Sequence, residues 1–368
     1  MRPKRARIAA VGLAAGGAIV LAGCGAANEG SSAGGESSAP SSNVSGTIAG
    51  AGSSAQQAAM QAWIANFTGA NPDATVNYDP VGSGGGRTQF VEGGTAFAGS
   101  DAYLEGDQLE QARSRCGGSV IEIPDYISPI ALVYNLEGVD QLKLSPATVA
   151  GIFNGSITTW NAPEIAADNP GVTLPDQRIA PVHRSDESGT TENFTEYLHA
   201  AAPDVWTNEA DGNWPVQGGE AAQGTSGVIG AVKAGNGTIG YADASQAGDL
   251  KVAQVKVGNE YVSPTPEAAA KILEDSQRVE GQGDTSFAFD LKRDTTASGT
   301  YPIVLVSYLI GCPQYQDANT ANLVKAFFSY IVSPEGQQAA AQAAGSAPMT
   351  DTLRNQITPV IDSISAAG

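Results

Sequence analysis

The sequence predicts an α/β fold with largely parallel sheets, and two patterns carry that expectation. Short β-branched and apolar runs alternate along the chain with stretches whose apolar residues recur at helical spacing. Three of the strand-to-helix junctions are Gly/Ser-rich turns, at 50–54, 82–86 and 188–190. Open α/β sheets bind ligands at the carboxyl ends of their strands, which is where such turns fall.

The chain opens as an export signal rather than as part of that fold. Arg2, Lys4, Arg5 and Arg7 precede an apolar run over 8–22, too short to span a bilayer comfortably as a helix. Leu21-Ala22-Gly23-Cys24 resembles a bacterial lipobox, which would make 1–23 a signal peptide and Cys24 a lipidated N-terminus. Residues 24–45 are rich in Gly, Ser and Ala. With so little apolar bulk they cannot bury a core, so they read as a flexible tether.

From there the elements follow in order. Thr47-Ile48-Ala49-Gly50 is strand-like and runs into Gly50-Ala51-Gly52-Ser53-Ser54; Met60, Trp63, Ile64 and Phe67 then mark an amphipathic helix ending near Gly69. A strand at 74–78 leads into Val81-Gly82-Ser83-Gly84-Gly85-Gly86 and a short helix containing Phe90. The strand at 96–101 ends on the carboxylate of Asp101. Residues 121–135 form a long extended run interrupted by Pro124 and Pro129, able to pass from one lobe to another. A helix at 146–153 precedes the strand 179–182, which leads to Arg184. Phe194, Tyr197 and Leu198 recur at helical spacing and place Ser188-Gly189-Thr190 at a helix start.

Gly235-Asn236-Gly237-Thr238-Ile239-Gly240 matches G-x-G-x-x-G, but a helix at 228–234 precedes it and a strand follows. A dinucleotide loop needs the opposite order, so the segment reads as a helix C-cap and turn. A strand at 251–257, a helix at 264–273, a strand at 303–310 and helices at 323–331 and 335–344 complete the series.

Charge narrows the function. With 38 acidic and 19 basic residues the formal charge is −19, and loss of the leader removes four basic groups more. A body that acidic will not hold nucleic acid or anionic lipid non-specifically, nor attract an anion by net charge. An anion site must therefore be built locally. A helix start supplies unpaired N–H groups and partial positive charge, and Arg184 adds a planar fork matched to two oxygens of one oxyanion.

Catalytic chemistry finds little support. Gly30-Ser31-Ser32-Ala33-Gly34 has the nucleophile-elbow pattern but lies in the tether, without a strand or helix around it. No Gly-Lys pair offers a Walker loop, and His183 has no supporting residue as a general base. The only histidines are His183 and His199, so no zinc pattern is present and no metal or cofactor is expected. Cys116 and Cys312 remain besides Cys24; in an exported protein such a pair usually bridges, the alternative being two buried thiols.

Four segments together carry a resemblance. Gly50-Ala51-Gly52-Ser53-Ser54, Val81-Gly82-Ser83-Gly84-Gly85, Gly99-Ser100-Asp101-Ala102 and Arg184-Ser185-Asp186-Glu187-Ser188-Gly189-Thr190 resemble, in order and spacing, the phosphate-binding proteins of bacterial high-affinity phosphate ABC transporters (PstS type). The resemblance extends over essentially the whole body after the tether. It implies a two-lobed periplasmic-binding-protein-like (class II) fold with two crossover hinge strands. Lobe I would comprise 46–127 and 262–368, lobe II 128–261, with hinges near 123–130 and 252–262; Cys116 and Cys312 then share a lobe.

The same resemblance implies inorganic phosphate as ligand, held by Ser53, Ser54, the Ala55 backbone, Ser83, Asp101, Arg184, Asp186, Ser188, Gly189 and Thr190. It further implies a monomer that is no enzyme, anchored to the membrane through lipid on Cys24 and serving permease subunits with a separate ATPase. Another tetrahedral oxyanion such as sulfate or molybdate, a phosphate-ester hydrolase and a lipoprotein with a decayed site stand as alternatives. Two positions depart from the family pattern. Ser54-Ala55 stands where threonine and phenylalanine are common, and Glu187 where glycine is common, so the Glu187 carboxylate must point away from the anion or weaken its binding.

A carboxylate in an anion site has a physical use. Near neutral pH phosphate keeps at least one P–OH, which can donate to ionised Asp101, whereas sulfate would meet it lone pair to lone pair. Sites built to pair one hydroxyl reject the analogue lacking it by about 10⁴–10⁵-fold. Asp101 is thus expected to select, and Arg184 with the backbone donors to bind.

Overall fold

Why loops so distant in sequence can meet follows from the strand order. The computed structural model describes residues 44–274 and 276–368; the signal segment, Cys24 and residues 24–43 of the tether lie outside the described residues. β1 (Gly46–Gly52), α1 (Gln57–Ala70), β2 (Ala74–Asp79), α2 (Ser83–Val91), β3 (Phe97–Ser100) and α3 (Gly106–Arg115) open the fold, followed by the 15-residue β4 (Ile121–Asn135). Next come β5 (Lys143–Leu144), α4 (Pro146–Phe153), α5 (Pro163–Asp168), β6 (Ala180–Arg184), α6 (Gly189–Ala201), β7 (Glu220–Ala222), α7 (Gly224–Ala234) and β8 (Thr238–Asp243). Three short strands, β9 (Lys251–Val252), β10 (Gln254–Val257) and β11 (Glu260–Val262), precede α8 (Pro266–Ala270), β12 (Gln277–Arg278) and β13 (Phe289–Asp290). The chain closes with β14 (Val304–Gly311), β15 (Gln314–Tyr315), α9 (Ala318–Val332), α10 (Pro334–Ala344), α11 (Asp351–Asp362) and β16 (Ser365–Ala366).

The main sheet has the order β2-β1-β3-β14-β4-β8-β6-β7, with β9 also on β4. Its two wings are parallel, β2-β1-β3 on one side and β8-β6-β7 on the other. Antiparallel β14 and β4 join them. β4 pairs with β14 up to Pro129 and with β8 from Ile130 onward, so one strand crosses from wing to wing. All but its last residue are buried, as a strand covered on both faces requires.

The expected second crossing strand at 252–262 is corrected. Those residues fold as the end of β9 and the antiparallel β10–β11 hairpin, with β10 parallel to β5. Gly258 takes φ +56° at the turn, and such a Gly reverses a chain that would otherwise run straight on. The return toward α8 follows through Ser263-Pro264-Thr265, where Thr265 caps α8.

One large core runs through both wings, from Trp63, Phe97 and Phe327 to Phe153, Phe194 and Tyr197. A second, smaller cluster of Ala131, Val133, Val182, Val228 and Val232 lies under α7. α1 is placed by Met60, Trp63 and Phe67 on its buried face, and the Trp63 indole donates to Gly336 O at 2.7 Å. Cys116, at the end of α3, is bonded to Cys312, just past β14, with Cα atoms 5.0 Å apart. Among the described residues no helix is long and apolar enough to cross a membrane.

Candidate functional site

Carboxyl ends of strands from both wings face one another, and each contributes part of a closed ring of contacts. At the end of β1, Ser53 and Ser54 divide two tasks. Ser53 Oγ accepts from Ala55 N at 3.0 Å and Gln56 N at 3.4 Å, so the Ala55 amide offered by the resemblance is engaged within its own turn. Ser54 Oγ instead accepts from Thr225 N at 3.0 Å and lies 3.1 Å from Thr225 Oγ1. Gln246 adds a second tie, its Nε2 donating to Ser54 O at 2.8 Å and Ala55 O at 3.0 Å.

The β2–α2 turn approaches the opposite wing even more closely. Gly82 has φ +96°, and a Cβ on it would lie 2.6 Å from Asp186 Oδ2, so no other residue fits. Ser83 Oγ accepts from Asp101 N at 3.1 Å, which leaves its hydroxyl proton free to donate elsewhere. Asp101, 3% exposed, is held on both oxygens: Ser307 Oγ donates to Oδ1 at 2.7 Å and Thr190 Oγ1 to Oδ2 at 3.0 Å. Asn193 Nδ2 donates to Asp101 O at 2.6 Å. Each carboxylate oxygen keeps a lone pair that a further donor can use.

From the other wing, β6 delivers Arg184, 3% exposed. Its Nε and Nη2 donate to Asp186 Oδ1 at 2.8 Å and Oδ2 at 2.5 Å. Nη1 has no protein partner among the described residues, so one edge of the fork remains for a guest. Burial pushes the Asp186 carboxyl up, but the hydrogen bonds and charge of Arg184, helped by the Gly224 amide, outweigh it and hold the group below its ordinary value. The Tyr241 hydroxyl accepts from Arg184 N at 3.2 Å and lies 2.7 Å from Thr191 Oγ1. Tyr241 itself stacks on Phe194 at 4.4 Å, so strand end and helix start share one anchor.

Ser188 caps α6 by accepting from Thr191 N at 3.3 Å, the arrangement its sequence pattern predicts. Gly189 packs where a Cβ would come within 2.8 Å of Ser83 Oγ and 2.9 Å of Asp101 Cβ. With the cap on Thr191, the N–H groups of Gly189 and Thr190 are left without partners inside the helix. The ring then closes: Ser54 to Thr225, Gly224 N to Asp186 Oδ1 at 3.0 Å, Asp186 to Arg184, Gly82 against both, Ser83 to Asp101 on β3, and β3 back to the Ser53–Ser54 turn through Ser53 N, which donates to Gly99 O at 2.9 Å, with Thr190 joined to Asp101. All ten residues singled out in the sequence lie on or beside it.

Several contributors lack a local signature. Thr225, Gln246, Asn193 and Ser307 enter only through tertiary contact. Asp125 on β4 is buried, with neither side-chain oxygen in a hydrogen bond among the described residues; burial drives its carboxyl well above the ordinary range and the charge of Asp101 adds to the shift. Glu187 does point away from the ring, toward Arg87, at 2.9 Å. His183 plays no part: its ring nitrogens lie 2.9 and 3.1 Å from the carbonyl oxygens of Arg184 and Gly218, and the ring stacks on Trp214.

The model of the PBP superfamily domain matches residues 37–335. Phosphate-binding protein PstS2 of Mycobacterium bovis is 36% identical over 371 residues, covering 97% of this chain and 98% of that protein. Among solved structures, a high-affinity periplasmic phosphate-binding protein (PfluDING) bound with phosphate superposes with a TM-score of 0.68 at 24% identity, over 87% of this chain and 99% of the other. A putative phosphate ABC transporter substrate-binding protein with bound phosphate from Clostridium perfringens gives 0.59 at 20% identity, over 81% and 98%. The two structural likenesses establish a shared mixed α/β fold of the periplasmic-binding-protein type. On the strength of the family match and the relative from Mycobacterium bovis, the chain belongs to the PBP superfamily and, within it, to the PstS-type phosphate-binding proteins.

Proposed function

We propose that this chain captures inorganic phosphate between two lobes and passes it to an ABC importer made of permease subunits and a separate ATPase. The lobes are 46–127 with 262–368, and 128–261, and β4 is the strand on which they hinge. The observation that carries the proposal is the ring itself. Hydroxyls and a carboxylate from three strand ends of one wing face a guanidinium and two helix starts of the other, and the helix starts are bonded directly across, Thr190 to Asp101 and Thr225 N to Ser54.

Each residue has a physical task. The free edge of Arg184 and the amides of Gly189 and Thr190 face the anion's charge, and the hydroxyls of Ser83 and Ser188 donate to its oxygens. Thr190 and Ser307 both donate to Asp101 and so present it as an acceptor. A P–OH completes that bond and sulfate cannot. The relatives named for phosphate support this ligand over sulfate or molybdate. Lipidation at Cys24 would tether the body outside the membrane.

Calorimetry of the purified chain against phosphate, sulfate and molybdate tests the proposal. Phosphate alone should bind tightly. Tight sulfate or molybdate binding with none for phosphate would overturn it.

A further inference from the structure

Arg87 and Glu187 stand outside the ring and meet across it. Arg87 lies on α2 and is 5% exposed. Its Nη1 donates to Ser100 Oγ at 3.0 Å and to Ala102 O at 3.5 Å, which fixes the guanidinium to its own wing. Nη2 reaches the other wing, 2.9 Å from Glu187 Oε1 and 3.8 Å from Glu192 Oε2. No other carboxylate pairs with Arg87 among the described residues.

Glu187 is fitted to this position. Its side chain lies along the first turn of α2, where a Cβ on Gly84 would come within 2.2 Å of its Cδ. Gly212 gives way on the other side, its Cβ position 3.2 Å from Glu187 Cγ. The backbone joins in, Gly84 N donating to Glu187 O at 3.4 Å. The Glu187 side chain is 37% exposed, so the pair has one end in dry protein and the other at the water.

We infer that Arg87 and Glu187 form a clasp between the wings, an ion pair that favours the closed arrangement without a guest and slows the guest's departure. The part concerning departure rests on the phosphate reading; the part concerning closure does not. Parting the wings takes from Arg87 both of its carboxylates while Ser100 and Ala102 still hold the guanidinium, so it cannot follow them. Opening exchanges two close carboxylates for water around a cation that stays in place, and it is opposed by what that exchange loses.

The pair is partly exposed, so salt weakens it. X-ray scattering of the phosphate-free chain at low and high sodium chloride, and stopped-flow phosphate release, should be compared between the native chain and Glu187→Gln. The native chain should expand with salt. Glu187→Gln should already be expanded at low salt, respond less to salt, and release phosphate about fivefold faster, the upper range for a partly exposed pair. Equal dimensions and equal salt response in both would overturn the clasp even if phosphate binds. A native chain that binds no phosphate would sink the ligand assignment and leave the scattering comparison to judge the clasp. Glu187→Gly, which removes the side chain altogether, should behave as Glu187→Gln does; a native-like response from it would also count against the clasp.

Discussion

Helices α6 and α7 both start on the ring, yet their first turns are held in different ways. α6 is secured by its own wing. Ser188 caps it, and Phe194 packs against Phe153 and Tyr241 at centroid distances of 4.9 and 4.4 Å. α7 has no side-chain cap and rests on small residues, Val228 and Val232 against Val182 and Ala242. Its first two N–H groups go to Asp186 and Ser54. Two helix starts with the same dipole are thus used differently: α6 leaves its first donors without partners inside the helix, and α7 gives its first two to the ring.

Four variants break or sharpen that contrast. Asp101→Asn removes the acceptor that Thr190 of α6 positions, and should lower the phosphate-over-sulfate preference by up to about 10⁴-fold. Calorimetry with both anions would show it, and an unchanged ratio would remove Asp101 from selection. Phe194→Ala should cost about 3–5 kcal/mol in urea unfolding, as for other buried phenylalanines; a loss well below that would mean α6 is not anchored by the aromatic cluster. Arg184→Ala should weaken phosphate binding at least tenfold, about 1.4 kcal/mol or more, and unaltered affinity would mean that its free edge does not meet the anion. Thr225→Ala should have the smallest effect, about 1 kcal/mol for one lost hydrogen bond. A loss of affinity as large as that of Arg184→Ala would show that α7 serves the guest after all.

What the sequence revealed and what it hid follow the same division. The start of α6 was legible because its cap, glycine and apolar spacing are neighbours in the chain. So was the reversed G-x-G-x-x-G, where Gly235 follows α7 and β8 comes after. The long run of β4 announced a crossing strand through its length and its prolines. By contrast, Thr225 meets Ser54 across 171 positions, and Ser307 meets Asp101 across 206. No local rule links such residues, because only the sheet order brings them together. The β10–β11 hairpin was missed for another reason. Its turn depends on one glycine inside a segment whose β-branched residues otherwise suggest continuous extension.

The place of β14 has a consequence for how the molecule comes into being. That strand lies between β3 and β4, neighbours of one another in sequence but not in the sheet. A chain emerging from its N-terminus has therefore made nearly all of its strands before the piece that separates two early ones arrives. Until Val304–Gly311 is present, β3 and β4 can have no lasting partner on their facing edges. The seam between the two wings therefore closes only once β14 is made, after every strand on either side of it.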